Sequence, residues 1–281
     1  MLLGHARAAT QTVTLERDGA RLEGTLELPD GTARVPALLL LPDAGLTDRD
    51  GNGTDAEGTD SLKNLALALQ ARGVASLRAD KRGVRQGVYA TLPELVADAT
   101  AWLEVLRRDA RLGRVVVVGH GEGSLVGMLA ARAGGADGFV SLNGFGRPAQ
   151  VALLEAIDRT RPADAYVDST LIVTELQAGR RVADMEPGLY RYFRPEVQAY
   201  LISLFELNPA AIFAGLTLPA LVVRGEAETR VAAVETQALA RANPRAQTLS
   251  IAAMRHDLTD PSGAVSPALL EGVLKFVRDL G

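Results

Sequence analysis

Four consecutive valines, Val115 to Val118, lead into Gly119-His120-Gly121-Glu122-Gly123-Ser124. A buried strand that breaks into a glycine-rich turn and resumes as a helix can present backbone N–H groups and one side chain above a sheet. Two chemistries use that arrangement. The dinucleotide fingerprint, G-x-G-x-x-G, lets a pyrophosphate approach a helix N-terminus. The nucleophile elbow, G-x-S-x-G, lifts a serine on a strained turn. The dinucleotide pattern needs glycine where Ser124 stands, and an acid after the next strand, which ends at Asn143. It also normally opens its fold, whereas several predicted strands precede this turn. The elbow pattern fits at Gly119 and Gly123 and departs at its centre, where Gly121 occupies the serine position. Ser124 cannot stand in, because it lies about one helical turn, roughly 5 Å, further along the axis.

Other residue types narrow the chemistry. The 281 residues include no cysteine, which excludes disulfides, thiolate zinc sites and a thiol nucleophile. Asp48, Asp50, Asn52 and Gly53 have the spacing that opens an EF-hand loop, but the position of its bidentate glutamate is Thr59. These residues are therefore expected to form turns, and no metal or organic cofactor is expected. Asp98 and Glu104 fall on a predicted helix and are expected on its solvated face. With 30 Lys+Arg against 34 Asp+Glu and no basic patch, the chain is not expected to bind nucleic acid. No apolar run approaches the ~20 residues of a membrane span. Met1 to Gly4 is too short for a signal-peptide core, although Ala6-Arg7-Ala8 resembles the end of one. A cytoplasmic location is expected, with export the alternative.

The elements that must carry the turn are legible in order. Val13–Glu16 and Leu22–Leu28 flank Asp18-Gly19, a hairpin signal. Buried strands are predicted at 37–41, 74–77, 115–118, 138–142, 218–223 and 247–251. Helices are predicted at 61–72, at 91–108 behind the capping-box spacing Thr91 to Glu94, at 124–133, 231–242 and 267–280. The long segment 43–60 reads as a loop. Strands alternating with helices imply an α/β fold with a mostly parallel, doubly wound sheet. Residues 148–213 break that rhythm: they read as helical and carry Tyr166, Tyr190, Tyr192, Phe193, Tyr200, Phe205 and Phe213. A core at 1–147 and 214–281 with a helical cap at 148–213 is expected. Internal packing of those aromatics is the alternative to a lid over a pocket.

The chain resembles the α/β-hydrolase superfamily, in particular bacterial esterase-like members with a G-H-S-E-G elbow. Four segments carry the resemblance: Thr47-Asp48-Arg49-Asp50-Gly51-Asn52; Asp80-Lys81-Arg82-Gly83-Val84; the elbow with Ser124 to Ala131 behind it; and Phe193-Arg194-Pro195. It spans nearly the whole chain. It implies a nucleophile position at Gly121, a histidine at His256 after the last strand, and an acid at Glu228, where aspartate is more usual. His5 lies in the N-terminal tail and His120 beside the elbow. The resemblance also implies an oxyanion hole from the backbone of Glu122 and of Ala44 or Gly45, and substrate contacts from Phe145, Tyr190, Phe193 and Tyr200. Asp43-Ala44-Gly45 departs from the usual Gly-Ser-Gly, and an inward-pointing Asp43 would be electrostatically adverse to a bound anion.

Gly121 removes the serine acyl-enzyme, a loss on the order of a millionfold in a worked protease case. Three expectations follow. The chain is a carboxylesterase-like small-molecule hydrolase, impaired or altered at its nucleophile. Alternatively, His256 acts as general base in a lyase or cyclase, on a water held in the space the serine would fill or on a C–H beside a carbonyl. Alternatively, the site binds a ligand without turning it over. The expected partner in each case is a small molecule, and the chain is a monomer or homodimer.

Overall fold

The computed structural model describes residues 7–31, 33–53, 58–160 and 163–281, so His5 and most of the N-terminal tail lie outside the described residues. The chain begins with an antiparallel hairpin, β1 (Ala9–Arg17) and β2 (Ala20–Leu28). Asp18 and Gly19 both take positive φ, +47° and +74°, as a two-residue hairpin turn matched to strand twist requires. Then come β3 (Val35–Leu41), α1 (Ser61–Gln70), β4 (Ala75–Ala79), α2 (Leu92–Arg108), β5 (Leu112–His120), α3 (Gly123–Ala133) and β6 (Gly138–Leu142). The segment expected as an insertion holds α4 (Ala149–Thr160), α5 (Ala163–Gln177), α6 (Tyr190–Phe193), α7 (Pro195–Phe205) and α8 (Pro209–Ala214), and no strand among its described residues. The chain closes with β7 (Ala220–Gly225), α9 (Ala233–Ala242), β8 (Gln247–Ile251) and α10 (Pro267–Asp279).

One eight-stranded sheet runs β1-β2-β4-β3-β5-β6-β7-β8. The hairpin joins β4 antiparallel, and every pairing from β4 to β8 is parallel. Both faces of the parallel part are covered, which is why its strands read as unbroken apolar runs. Val116 and Val118 face α1 and α10 with Leu38, Leu40, Leu65 and Val273. Val115 and Val117 face the other way, toward Trp102, Leu103 and Met128 of α2 and α3. At the start of α2, the Thr91 N–H donates to Glu94 Oε2 at 2.7 Å, as the capping-box spacing predicts.

Two charged side chains lie deeper than their sequence suggests. The fourth strand is predicted to stop at Leu77 but runs to Ala79, because Arg78 is buried against Glu27 at 3.1 Å and Asp50 at 3.1 Å. Asp98, expected in solvent, is 5% exposed and clasped by Arg82 Nη2 at 2.6 Å and Nε at 3.0 Å. In each case the partner arrives from a distant segment, which helical or strand periodicity cannot reveal. Glu104 does face solvent, paired with Arg108 one turn on at 3.0 Å. The Asp48 carboxylate accepts from the N–H groups of Asp50 and Asn52, both at 2.9 Å, as a turn former. No helix among the described residues is long and apolar enough to cross a membrane.

Replacing Arg78 alone leaves the Glu27 charge buried beside the sheet. Arg78→Met is expected to lower unfolding free energy by about 3 kcal/mol, and Glu27→Gln in the same chain to recover part of that loss. Denaturant midpoints for the single and double variants check this; equal midpoints for Arg78→Met and the parent contradict it.

Candidate active site

The elbow sits where β5 passes into α3. Gly121 adopts φ +52°, in the left-handed region. The flanking glycines are sterically required. A Cβ on Gly119 would run into the carbonyl of Gly123, and one on Gly123 into the carbonyls of Leu41 and Pro42. Ser124 is fully buried. Its hydroxyl donates to the Gly119 carbonyl at 2.8 Å and receives a hydrogen bond from Ser141 at 3.1 Å. Its role is to tie the turn.

The loops after β7 and β8 bring Glu228 and His256 together. His256 Nδ1 donates to Glu228 Oε2 at 2.6 Å. The Glu228 side chain is wholly buried, and its other oxygen accepts the N–H groups of Arg230 and of Val231, the latter at 3.0 Å. The His256 carbonyl accepts from His120 Nε2–H at 2.8 Å and Asn143 Nδ2 at 3.5 Å. Asn143 in turn accepts from the Gly225 N–H at 2.9 Å. The ends of β5, β6 and β7 thus fix the histidine loop.

His256 Nε2 points at the elbow, but the group it meets comes from elsewhere. Asp43, just past β3, places Oδ2 2.7 Å from Nε2 and accepts the Glu122 N–H on Oδ1 at 3.0 Å. The Ala44 N–H also supports this carboxylate. Any Cβ on Gly121 would collide with Asp43 Oδ1. The space expected to hold a water where serine is missing is therefore filled by a carboxylate. Asp43 does point inward, onto the amide expected to serve an oxyanion.

Burial opposes charge on Asp43, but the His256 hydrogen bond, the neighbouring positive charge and the Ala44 N–H together outweigh it and hold the carboxyl far below its usual range. Burial likewise works against the His256 cation. Its hydrogen bonds to Asp43 and Glu228 prevail, lifting its pKa to about 9. The expected general base is thus an imidazolium at neutral pH, with its proton already in place. His120 goes the other way: burial lowers it to about 4, leaving a neutral ring that donates from Nε2.

Lys81 braces the site from the loop after β4. Its ammonium donates to the carbonyls of Asp43 and Gly45 and pairs with Glu122 Oε1 at 2.9 Å. Glu122 Oε2 accepts the Tyr200 hydroxyl of α7. Burial, then the nearby Glu122 charge, raises the Tyr200 pKa well above its ordinary value. Two clefts meet here. One is lined by Asp43, Ala44, Gly45, Tyr89, Arg230 and His256. The other has an apolar wall that includes Leu125, Phe145, Leu153, Tyr200 and Leu204, with Arg147 and Arg230 at its polar side. Of the four expected substrate contacts, Phe145 and Tyr200 line this second cleft. Phe193 is fully buried in the core and Tyr190 is 48% exposed, and neither lines either cleft. Sequence reasoning passed over Lys81, Tyr89 and Arg230 as site residues. Lys81 lay within a quoted motif, whereas no spacing pointed to Tyr89 or Arg230.

No protein-family model matches the chain. Esterase EstD of Thermotoga maritima is 25% identical over 217 residues, covering 75% of this chain and 50% of that protein, so the chain spans about half the length of the curated relative it matches. Among solved structures, Est1E from Butyrivibrio proteoclasticus superposes with a TM-score of 0.65 at 16% identity, covering 95% of this chain and 99% of that one. The esterase domain of a Rhodothermus marinus protein gives 0.65 at 20% identity, covering 97% and 100%. The fold is that of the α/β-hydrolases.

Two outcomes are expected from this geometry. The His256 cation adds stability that is fully present below its ordinary value of 6.5 and is lost as pH rises through about 9. The thermal midpoint is expected to fall across that window, and Asp43→Asn to flatten the fall; an equal slope in both proteins contradicts the assignment. Second, Gly121→Ser alone is expected to restore no aryl-ester hydrolysis, because its side chain meets Asp43. Gly121→Ser with Asp43→Gly is expected to exceed it by at least roughly a hundredfold, and recovery by the single variant would count against the collision.

Proposed function

We propose that this chain is a small-molecule hydrolase, esterase-like in class, that works without a serine acyl-enzyme. The observation that carries the reading is His256, bound through Nδ1 to the buried Glu228 and through Nε2 to Asp43, at a cleft that both His256 and Asp43 line. Such a pair orients the ring and supports its charged form, which suits proton transfer to and from a bound substrate or water. The esterase relatives favour the same class. Helices α4 to α8 act as a cap, with Phe145 and Tyr200 flanking the substrate, while the Glu122 and Ala44 N–H groups are engaged by Asp43.

The lyase and cyclase readings would use His256 as a base in the same way, and it is the esterase relative that favours hydrolysis over them. Activated aryl esters are the probe, since phenolate leaves easily and reveals slow hydrolysis. His256→Ala and Glu228→Gln are each expected to cut turnover by about a hundredfold or more at unchanged folded concentration. Turnover that survives both substitutions overturns the reading and leaves ligand binding as the use of the site.

A further inference from the structure

We infer that the apolar cleft is built for an ester whose acid portion carries a carboxylate at its far end, and that this carboxylate binds Arg147 in place of Glu155. The inference rests on the hydrolase reading of His256 and Glu228 and deepens it by naming the substrate class.

Ala44 and Arg230 line both this cleft and the one at His256, so the two spaces join there. Arg147, Glu155 and Arg159 line the apolar cleft and not the one at His256. A substrate with its ester at His256 therefore reaches Arg147 through space walled by Leu125, Phe145, Leu153 and Leu204. The cleft holds about 280 Å³, which suits an aliphatic chain or a single ring.

Arg147 follows β6 and is preset by the core. Its Nε and Nη2 contact Glu235 Oε1 at 2.8 and 2.6 Å. Glu235 is 1% exposed, and its Oε2 accepts the N–H groups of Gly146 and Arg147 at 3.1 and 2.8 Å. These contacts fix the guanidinium and leave its Nη1–Nη2 end to a second partner. That end donates two parallel hydrogen bonds to the Glu155 carboxylate of cap helix α4, at 2.7 and 2.8 Å. Glu155 is held more loosely than Glu235. Its side chain is 43% exposed, and among the described residues it makes no other hydrogen bond. A carboxylate so open to water is released at small cost. Its position shows where the carboxylate of a substrate would sit, and the paired N–H groups match the spacing of two carboxylate oxygens.

The charges lining the cleft favour this exchange. Arg147, Arg159 and Arg230 stand against Glu122, Glu155 and Glu235, and Glu122 is already paired with Lys81. Three guanidinium groups thus share two carboxylates, Glu155 and Glu235, and both of these sit on Arg147. Among the described residues, the Arg159 and Arg230 side chains have no hydrogen bond or ion pair, so the cleft carries unmatched positive charge. Arg159 lies one turn beyond Glu155 on α4, the spacing and order at which glutamate and a cation pair on a helix. When a substrate carboxylate takes Arg147, Glu155 turns to Arg159, and the anion brought in matches a cation that had no partner. A chain ending in a methyl group gains nothing from this. Hydrolysis adds water across the ester and releases an alcohol and a dicarboxylate.

The test uses the full chain with p-nitrophenyl half-esters of adipic, suberic and sebacic acids, each set against the p-nitrophenyl alkanoate of matching length. For at least one length, kcat/KM of the half-ester is expected to exceed that of the alkanoate by about tenfold or more. Glu155→Gln removes the competing charge and is expected to raise that ratio by about fivefold. Arg147→Lys keeps the charge but loses the paired donors, and is expected to bring the ratio toward parity. A mere clamp between cap and core would instead have Glu155→Gln change both ester classes alike. Calorimetry with suberate alone reads the cleft without turnover, and binding is expected to be tightest in Glu155→Gln and weakest in Arg147→Lys. Parity in the parent protein at every length, or a ratio that Glu155→Gln leaves unmoved, overturns the inference. If turnover still depends on His256 in that event, the hydrolase reading stands and only the substrate class falls. If neither ester class shows that dependence, the hydrolase reading falls. Suberate binding in the expected order then keeps the exchange at Arg147 as a binding site, and no suberate binding removes both.

Discussion

An imidazole can donate to two carboxylates at once only when both its nitrogens carry protons. His256 does so, with Glu228 on one side and Asp43 on the other. That single requirement organises the top of the sheet. Glu228 must be buried and anchored by backbone N–H groups so that its charge is satisfied. The His256 backbone must be held rigid, and His120 and Asn143 do this from neighbouring strand ends. Asp43 must reach inward from β3, which it does only because the elbow leaves it room.

Gly121 and Asp43 are therefore one arrangement expressed at two positions. Read separately, one is a missing hydroxyl and the other a misplaced charge. Together they exchange a small side chain on the elbow for a larger one on the adjacent strand end, with the hydrogen-bonding ends in nearly the same place. The exchange also moves negative charge onto the Glu122 amide, a position that a helix start and backbone donors favour for anions. What would be adverse to binding an external anion is a stable resting state once the anion is the protein's own.

Much of this fold can be read from the chain. The valine run, the Asp18-Gly19 turn and the alternation of apolar strands with amphipathic helices each encode one local element, and the structure forms them close to where they are read. His256 and Glu228 were reachable only through the family resemblance, which implies an acid and a histidine in the loops after β7 and β8. The features that escaped share one property, dependence on a partner far away in sequence. Arg78 looks like a strand terminator until Glu27 is beside it, and Asp98 looks solvated until Arg82 closes over it. Asp43 looks like a loop residue until His256 and the bare Gly121 are placed around it. Phe193 and Tyr190 belong to the same failing, because an aromatic-rich segment does not say which rings face the cleft.

Glu122 has a second life as a junction. Its amide serves Asp43, while its carboxylate is shared by the Lys81 ammonium and the Tyr200 hydroxyl. A rigid-body swing of α7 away from the sheet would withdraw only the phenol, a neutral partner, and the ion pair with Lys81 would stay closed. Such a swing would strand no charge at Glu122, although it would also part the Leu92 N–H from Ser203 Oγ of the same helix. The charge pairing at the floor of the cleft and the attachment of α7 at its rim are separable, because a single side chain divides its two oxygens between them.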